Sequence, residues 1–517
     1  PGCSDSDLAL QESTASQMRP DDAGPAESAR GDAGQRERSG FGPVPDEAAP
    51  DASTMDGRDL DAIRAPSRAD RDEGSSHDGR ALPGTDGSDA GSDASVVMAD
   101  PSGAPAEPED DVSDAGSQED KQDDPHGEDQ RAAVSDRYEP RDLLRSLAVN
   151  VLFPTYVDFA AAAEELQRTT AMWAIAAEAA MDAAGPTGQS QQAASEAYVR
   201  AMDAWQRAEL MQLGPAAPAP SVGGLGLRNA IYSWPLISAC RVDQQTLDAG
   251  YSQGDFFSSN LDNAYGMDAL EYLVFVVDDQ NQCNEALVIN TEPSGWQSLS
   301  SREIDARRAR YAAVIAAEVA EHARSLREAW DPDAGSFFTL FVEAGSERDA
   351  GLATYSGDQE ALEAAFAAML YLDLQVKDRK MAQPLGLSEC ADECLLTRES
   401  RWANRSKEYV RENLLAFEHM VLGGKLDDPE RVGFDDALRA AGGGLVASEL
   451  LDAVAGARAA VDAIPGSLGS AIADRSAGHA RVVDAHSALK RITDILKGQF
   501  AQVLRLQLPE AAEGDSD

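Results

Sequence analysis

The chain has 517 residues and carries 91 Asp and Glu against 44 Lys and Arg, a formal net charge of −47. That balance excludes nucleic acid as a partner, because phosphate binding needs a basic surface, and it argues against an anionic membrane surface. It is compatible with cation binding, although an acidic surface alone is usually a device for solubility.

The sequence opens Pro1-Gly2-Cys3-Ser4 and runs into a polar, flexible stretch. Gly-Cys in that setting reads as the end of a lipobox, whose Cys thiol takes a diacylglycerol and becomes the mature N-terminus. Cys3 is therefore expected to be lipidated, and Ser4 would suit sorting to the outer membrane. Residues 1–136 are rich in Asp, Ser, Gly, Ala and Pro, as in GTDGSDAGSDAS, and Phe41 is their only aromatic residue. Such a segment buries too little apolar surface to offset its chain entropy, and its like charges extend it. The expectation is a disordered acidic stalk between a lipid and a folded body. His77 and His126 lie in it with no neighbours that would make a site.

From Tyr138 the character changes. Ala-rich segments over 154–182, 190–211, 360–380, 434–460 and 466–505 read as helices. Tyr311, Ile315, Val319, His322, Leu326 and Trp330 recur at steps of three and four, the apolar stripe of one long helix. Val410, Leu414, Phe417 and Val421 repeat the pattern, and Gly423-Gly424 supplies the stop. Strand-like alternation is scarce, and Pro/Gly-rich connections fall near 212–226 and 384–397. The fold class predicted is all-α, a helical-bundle architecture. No apolar run reaches the roughly 18–20 residues that a membrane span needs.

Beyond Cys3 there are four cysteines, an even number in a chain expected to be exported, which favours disulfides. Local spacing pairs Cys390 with Cys394 and leaves Cys240 for Cys283. A zinc site using all four thiols is the alternative.

The most informative stretch is Gly266-Met267-Asp268-Ala269-Leu270-Glu271-Tyr272-Leu273-Val274-Phe275. As a helix it sets Met267, Leu270, Val274 and Val277 on one face and Asp268, Glu271, Tyr272 and Phe275 on another. Both faces are largely apolar, so the helix should be buried. Two carboxylates there are costly unless paired, protonated or coordinated. Either each is answered by a core Arg, or the pair reaches into a cleft. No His-Glu-x-x-His or Gly-x-Ser-x-Gly exists. His322 reads as a core residue, and His419 has no independent support as a ligand. His479 and His486 sit two turns apart, about 10 Å of rise, too far for one metal. Lys377, Asp378, Arg379 and Lys380 read as a solvated helical face.

GMDALEYLVF resembles the imelysin signature, whose general form is Gly-x-His-x-x-Glu. AWQRAELMQLGP (204–215), LRNAIYSWPLISACRVDQQ (227–245), KDRKMAQPLGL (377–387) and ESRWANRSKEYVRENLLAFEHMVLGG (399–424) resemble further segments of that family in the same order. Gly266 and Glu271 match the signature. Asp268 replaces its His, as in an imelysin-like branch whose motif reads Gly-Leu-Asp-Ala-Leu-Glu.

The resemblance implies two bundle halves, assigned to 137–300 and 301–517, with a cleft between them. It implies a cell-envelope protein, periplasmic or outer-membrane, related to iron-regulated proteins and to components of iron transport. Asp268, Glu271 and Gly266 would then help hold a ligand or a metal ion such as iron or another hard cation, since carboxylates suit hard cations better than zinc. Arg379 is a candidate partner for the two carboxylates across the cleft. The alternative is an imelysin-type metallopeptidase with Glu271 as general base. A non-catalytic interaction module on a lipid tether is the third reading.

Overall fold

The structure, a computed structural model, describes residues 138–182, 188–346, 354–388, 390, 394–474, 477–509 and 512. The acidic N-terminal segment and Cys3 lie outside them. Among the described residues there is no strand, and the helices follow the periodicity of the sequence.

Helix α1, Pro140–Asp182, is continuous, with a π-helical stretch at Leu147–Leu152. α2 is Gly188–Glu209, α3 Ala239–Asp248, α4 Met267–Phe275 and α5 Ser301–Ala329. α6, Asp358–Met369, leads into a second π-helical stretch, Leu372–Ala382. α7 is Ser406–Leu422, α8 Phe434–Ala440 and α9 Gly444–Asp462. α10, Ala477–Ile495, continues through a third π-helical stretch, Leu496–Phe500.

The stops are chemical. α5 begins with a capping box in which Ser300 and Glu303 exchange side-chain and backbone bonds. α7 ends at Gly423, which takes the left-handed φ of 69° where a side chain would be strained. The Ala-rich stretch 434–460, expected as one helix, divides at Gly442–Gly444, where Gly442 also adopts positive φ.

The helices pack in two sets. In the first, α1 lies along α5 and α2, and α4 packs against α5 and α2. Tyr311, Ile315, Val319, Leu326 and Trp330 are all buried, whereas His322 sits at the edge beside Glu318. In the second set α7 and α10 pack on α9 and on the Leu372–Ala382 stretch. The helix over 301–329 thus packs with the elements before it, so the change from one set to the other falls after α5. α1 belongs to both sets: its first turns touch α6 and α8, and Ser146 Oγ donates to Gly423 O at 2.7 Å. The contact between α2 and α7 is the main seam.

The Pro140–Asp182 helix has the length and hydropathy of a membrane span, which the search for long apolar runs missed because polar residues interrupt it. Half of its most apolar stretch is buried inside the fold, as in the core helix of a bundle. Cys240–Cys283 and Cys390–Cys394 are disulfides, with Cα separations of 4.5 and 5.5 Å. The four-thiol zinc alternative falls with them.

Candidate functional site

Gly266 starts α4 with φ 92°, and a Cβ there would come within 3.0 Å of Ile231 O. Only glycine fits this entry, and it sets the helix so that Asp268 and Glu271 both point inward, each 2% exposed. Met267, Leu270 and Val274 are buried as their spacing predicts. Val277 is 80% exposed, because the helix stops at Phe275 and the chain turns extended at Val276.

Asp268 Oδ1 accepts the Ala269 N–H at 3.0 Å, and Oδ2 lies 3.0 Å from Ser233 Oγ. Ser233 Oγ is also 2.8 Å from Asp262 O. One hydroxyl proton cannot serve both acceptors. A protonated Asp268 resolves the conflict by donating to Ser233, which then donates to Asp262. Burial pushes the Asp268 carboxyl up to about 7, against its hydrogen bonds, with Glu271 adding to the rise.

Glu271 reaches across the seam. Its Oε1 accepts the N–H groups of Trp402 and Ala403 at 2.7 and 2.8 Å, tying α4 to the loop before α7. Burial raises this carboxyl to about 7 as well, opposed by those two N–H groups and reinforced by Glu399. Neither residue is answered by a core Arg, so the pair rests on neutral donors.

A second acidic cluster lies deeper in the seam. Lys380 Nζ, fully buried, faces Gln206 Oε1 at 2.6 Å, Asn413 Oδ1 at 2.9 Å, Glu399 Oε1 at 3.0 Å and Glu209 Oε2 at 3.1 Å. Arg228 pairs with the other Glu209 oxygen at 2.7 Å, and Tyr232 donates to Glu399 Oε1 at 2.9 Å. Burial alone would raise Glu209, but Lys380 and Arg228 bring it below the ordinary range. Glu399 goes the other way: burial outweighs Lys380 and lifts its carboxyl. The seam is stitched further by Arg405 on Asp203 at 2.8 Å and Arg207 on Glu412 at 2.6 Å.

Lys377, Asp378, Arg379 and Lys380 do not form a solvated face. Within the π-helical stretch Asp373, Lys377 and Lys380 lie inside, where Lys377 and Lys497 both pair with Asp373 at 3.1 and 3.0 Å. Arg379 is exposed on the outer side, and its neighbour Lys380 supplies the inward charge.

A cleft of about 780 Å³ opens between the 212–229 segment of the first set and the 355–375 segment of the second. Arg228 and Tyr371 form part of its wall and connect it to Glu209 behind. Asp268 and Glu271 are not among its lining residues.

The two carboxylates do not fit a metal ion. Oε1 of Glu271 already accepts two N–H groups, and both Asp268 oxygens have hydrogen-bond partners. Among the described residues no three His, Cys, Asp or Glu side chains gather as ligands. Sequence reasoning missed Glu209, Arg228, Lys380 and Glu399. All four lie within the motif-like segments quoted above, but no periodic signal connects Lys380 with Glu209, 171 positions away.

The family model for imelysin, peptidase family M75, matches residues 152–496. An imelysin-like protein of known structure from Psychrobacter arcticum 273-4 is 16% identical, with a TM-score of 0.50 over 74% of this chain and 98% of that one. A putative iron-regulated protein A precursor from Parabacteroides distasonis ATCC 8503 is 14% identical, with a TM-score of 0.50 over 73% of this chain and 95% of that one. At such identities the likeness is one of fold. No curated protein matches the chain.

Proposed function

The chain belongs to the imelysin family, and from that premise we propose that it is an exported binding protein of an iron-responsive cell-envelope system, holding a small ligand in the cleft between its two helix sets. The single observation behind this reading is the cleft itself. Its volume of about 780 Å³ lies within the roughly 300–1,000 Å³ of small-molecule sites, and a buried arginine stands in its wall. The iron link and export are suggested by the name of the Parabacteroides relative, an iron-regulated precursor. A lipid on Cys3 would tether the protein to the envelope.

Asp268 and Glu271 serve this reading as supports. Glu271 holds the loop of the second set onto the first, and Asp268 fixes the Ser233 segment that follows Arg228 in the chain. The peptidase alternative asks Glu271 to activate a metal-held water. Its hydrogen-bonded Oε1 and the absence of a third ligand among the described residues weigh against that role.

Native mass spectrometry of the protein purified from its own host tests the proposal. A bound small molecule is expected in the wild type and absent from Ala364→Phe, which fills the cleft from α6. A ligand-free wild type, or a ligand retained by the variant, would overturn it. Protein abundance in iron-replete and iron-starved cells tests the iron link, and an unchanged level would remove it.

A further inference from the structure

The cleft is charged asymmetrically. On one wall stands Arg228, its side chain 13% exposed, held by Glu209 at 2.7 Å and by Asn229 at 3.0 Å, with its Nε–H buried and unpartnered. Lys380 lies behind it on the other Glu209 oxygen. Two cations thus flank the Glu209 carboxylate, and Arg228 brings one of them to the cleft wall in a low-dielectric setting, where its field is strong.

The opposite wall is acidic. Glu360 and Glu363, one turn apart on α6, both line the cleft. Their partners among the described residues are neutral donors, the Ser356 N–H and the Gln359 amide. Leu213 and Leu374 contribute apolar surface to the lining. A simple anion would meet those two glutamates and a chain of net charge −47, and would be repelled. A simple cation would meet Arg228. A molecule carrying both charges meets neither penalty.

We propose that the cleft takes a small zwitterion of the free amino acid or short-peptide class, its carboxylate toward Arg228 and its ammonium toward Glu360 and Glu363. This rests on the cleft-binding reading above and names the ligand chemistry for the same site. A guanidinium edge and a carboxylate form a charge-assisted pair of high directionality, and the volume accommodates a peptide of a few residues.

Calorimetric titration of the full chain with alanyl-leucine, N-acetyl-alanyl-leucine and alanyl-leucine amide tests the assignment. The unmodified dipeptide should bind, and each analogue, lacking one charge, should bind at least about tenfold more weakly. Glu363→Gln should weaken the dipeptide about tenfold while leaving intact the contrast between the dipeptide and its amide, which reads Arg228, and Ala364→Phe should abolish the heat. Both positions are incompletely buried, so these variants fold where Arg228→Gln, which strips a buried carboxylate, need not. Equal binding of either analogue, or dipeptide binding unaffected by Ala364→Phe, overturns the proposal. A cleft ligand found by native mass spectrometry without any dipeptide heat overturns the zwitterion alone and leaves cleft binding standing.

Discussion

Two acidic pairs lie in the seam of this molecule, both fully buried, and they solve burial in opposite ways. Glu209 and Glu399 surround Lys380 and Arg228, so that charge answers charge. Asp268 and Glu271 form no ion pair among the described residues and lean on the Ser233 and Ser400 hydroxyls and on backbone N–H groups. The first arrangement keeps Glu209 ionised; the second leaves both carboxyls with affinities for a proton near neutrality. Similar depth therefore does not imply similar chemistry. The nature of the partner decides whether a buried acid is a fixed charge or a titrating group.

The contrast can be broken most forcefully at Lys380. Lys380→Met removes the ammonium from four acceptors and leaves Glu209 with Arg228 as its one cation beside the Tyr371 hydroxyl. A loss of about 3–5 kcal/mol is expected, read by urea unfolding, because the cost is an uncompensated buried charge. A loss under about 1 kcal/mol would show that the cluster is already neutral. Gly266→Ala comes next. It forces a Cβ into a φ of 92° and against Ile231 O, and should cost about 1–3 kcal/mol by the same measurement.

pH sharpens the comparison. The Asp268 and Glu271 carboxyls bind protons more tightly folded than unfolded, so their contribution is fully present below the unfolded values near 4. It is lost as pH rises toward about 7. Glu209, depressed in the fold, contributes in the reverse sense and loses its share as pH falls. Asp268→Asn with Glu271→Gln should flatten the stability profile between pH 5 and 7 by on the order of 1 kcal/mol per group, measured as urea midpoints across pH. A profile identical to wild type would show that the pair does not titrate there. The smallest effect belongs to Arg379→Ala, exposed on the outer side, which should stay within about 0.5 kcal/mol of wild type.

Much of this was legible in the sequence. The stripe from Tyr311 to Trp330 gave a helix because burial of one face repeats every three or four residues, and the pattern needs no knowledge of the partner. The inward placement of Asp268 and Glu271 followed from apolar residues on both sides of them. The cysteine pairs followed from an even count. The cation of the seam was not legible. Lys380 looks like one of four charged residues on a helix, and a run of charges reads as facing water. Asp373, Lys377 and Lys380 share one helical face by their i, i+4, i+7 spacing, but nothing in that spacing shows that the face is buried. Nor does spacing show that Glu271 is met by Trp402 and Ala403, a contact between segments 131 and 132 positions apart. Asp268 and Glu271 were expected at the cleft because they are the motif; the structure lines the cleft with Arg228 and Tyr371 instead.

The wide winding of Leu372–Ala382 also bears on how this chain tolerates length changes. An α-helix turns about 100° per residue, so a one-residue deletion in a regular helix rotates everything beyond it by about that angle. A wide turn holds an extra residue relative to α winding, so a deletion within it can be absorbed by tightening that turn while the flanking helix keeps its register. A one-residue deletion after Lys380 in this stretch should therefore disturb the seam less than the same deletion in the middle of α7, which has no wide turn to absorb it.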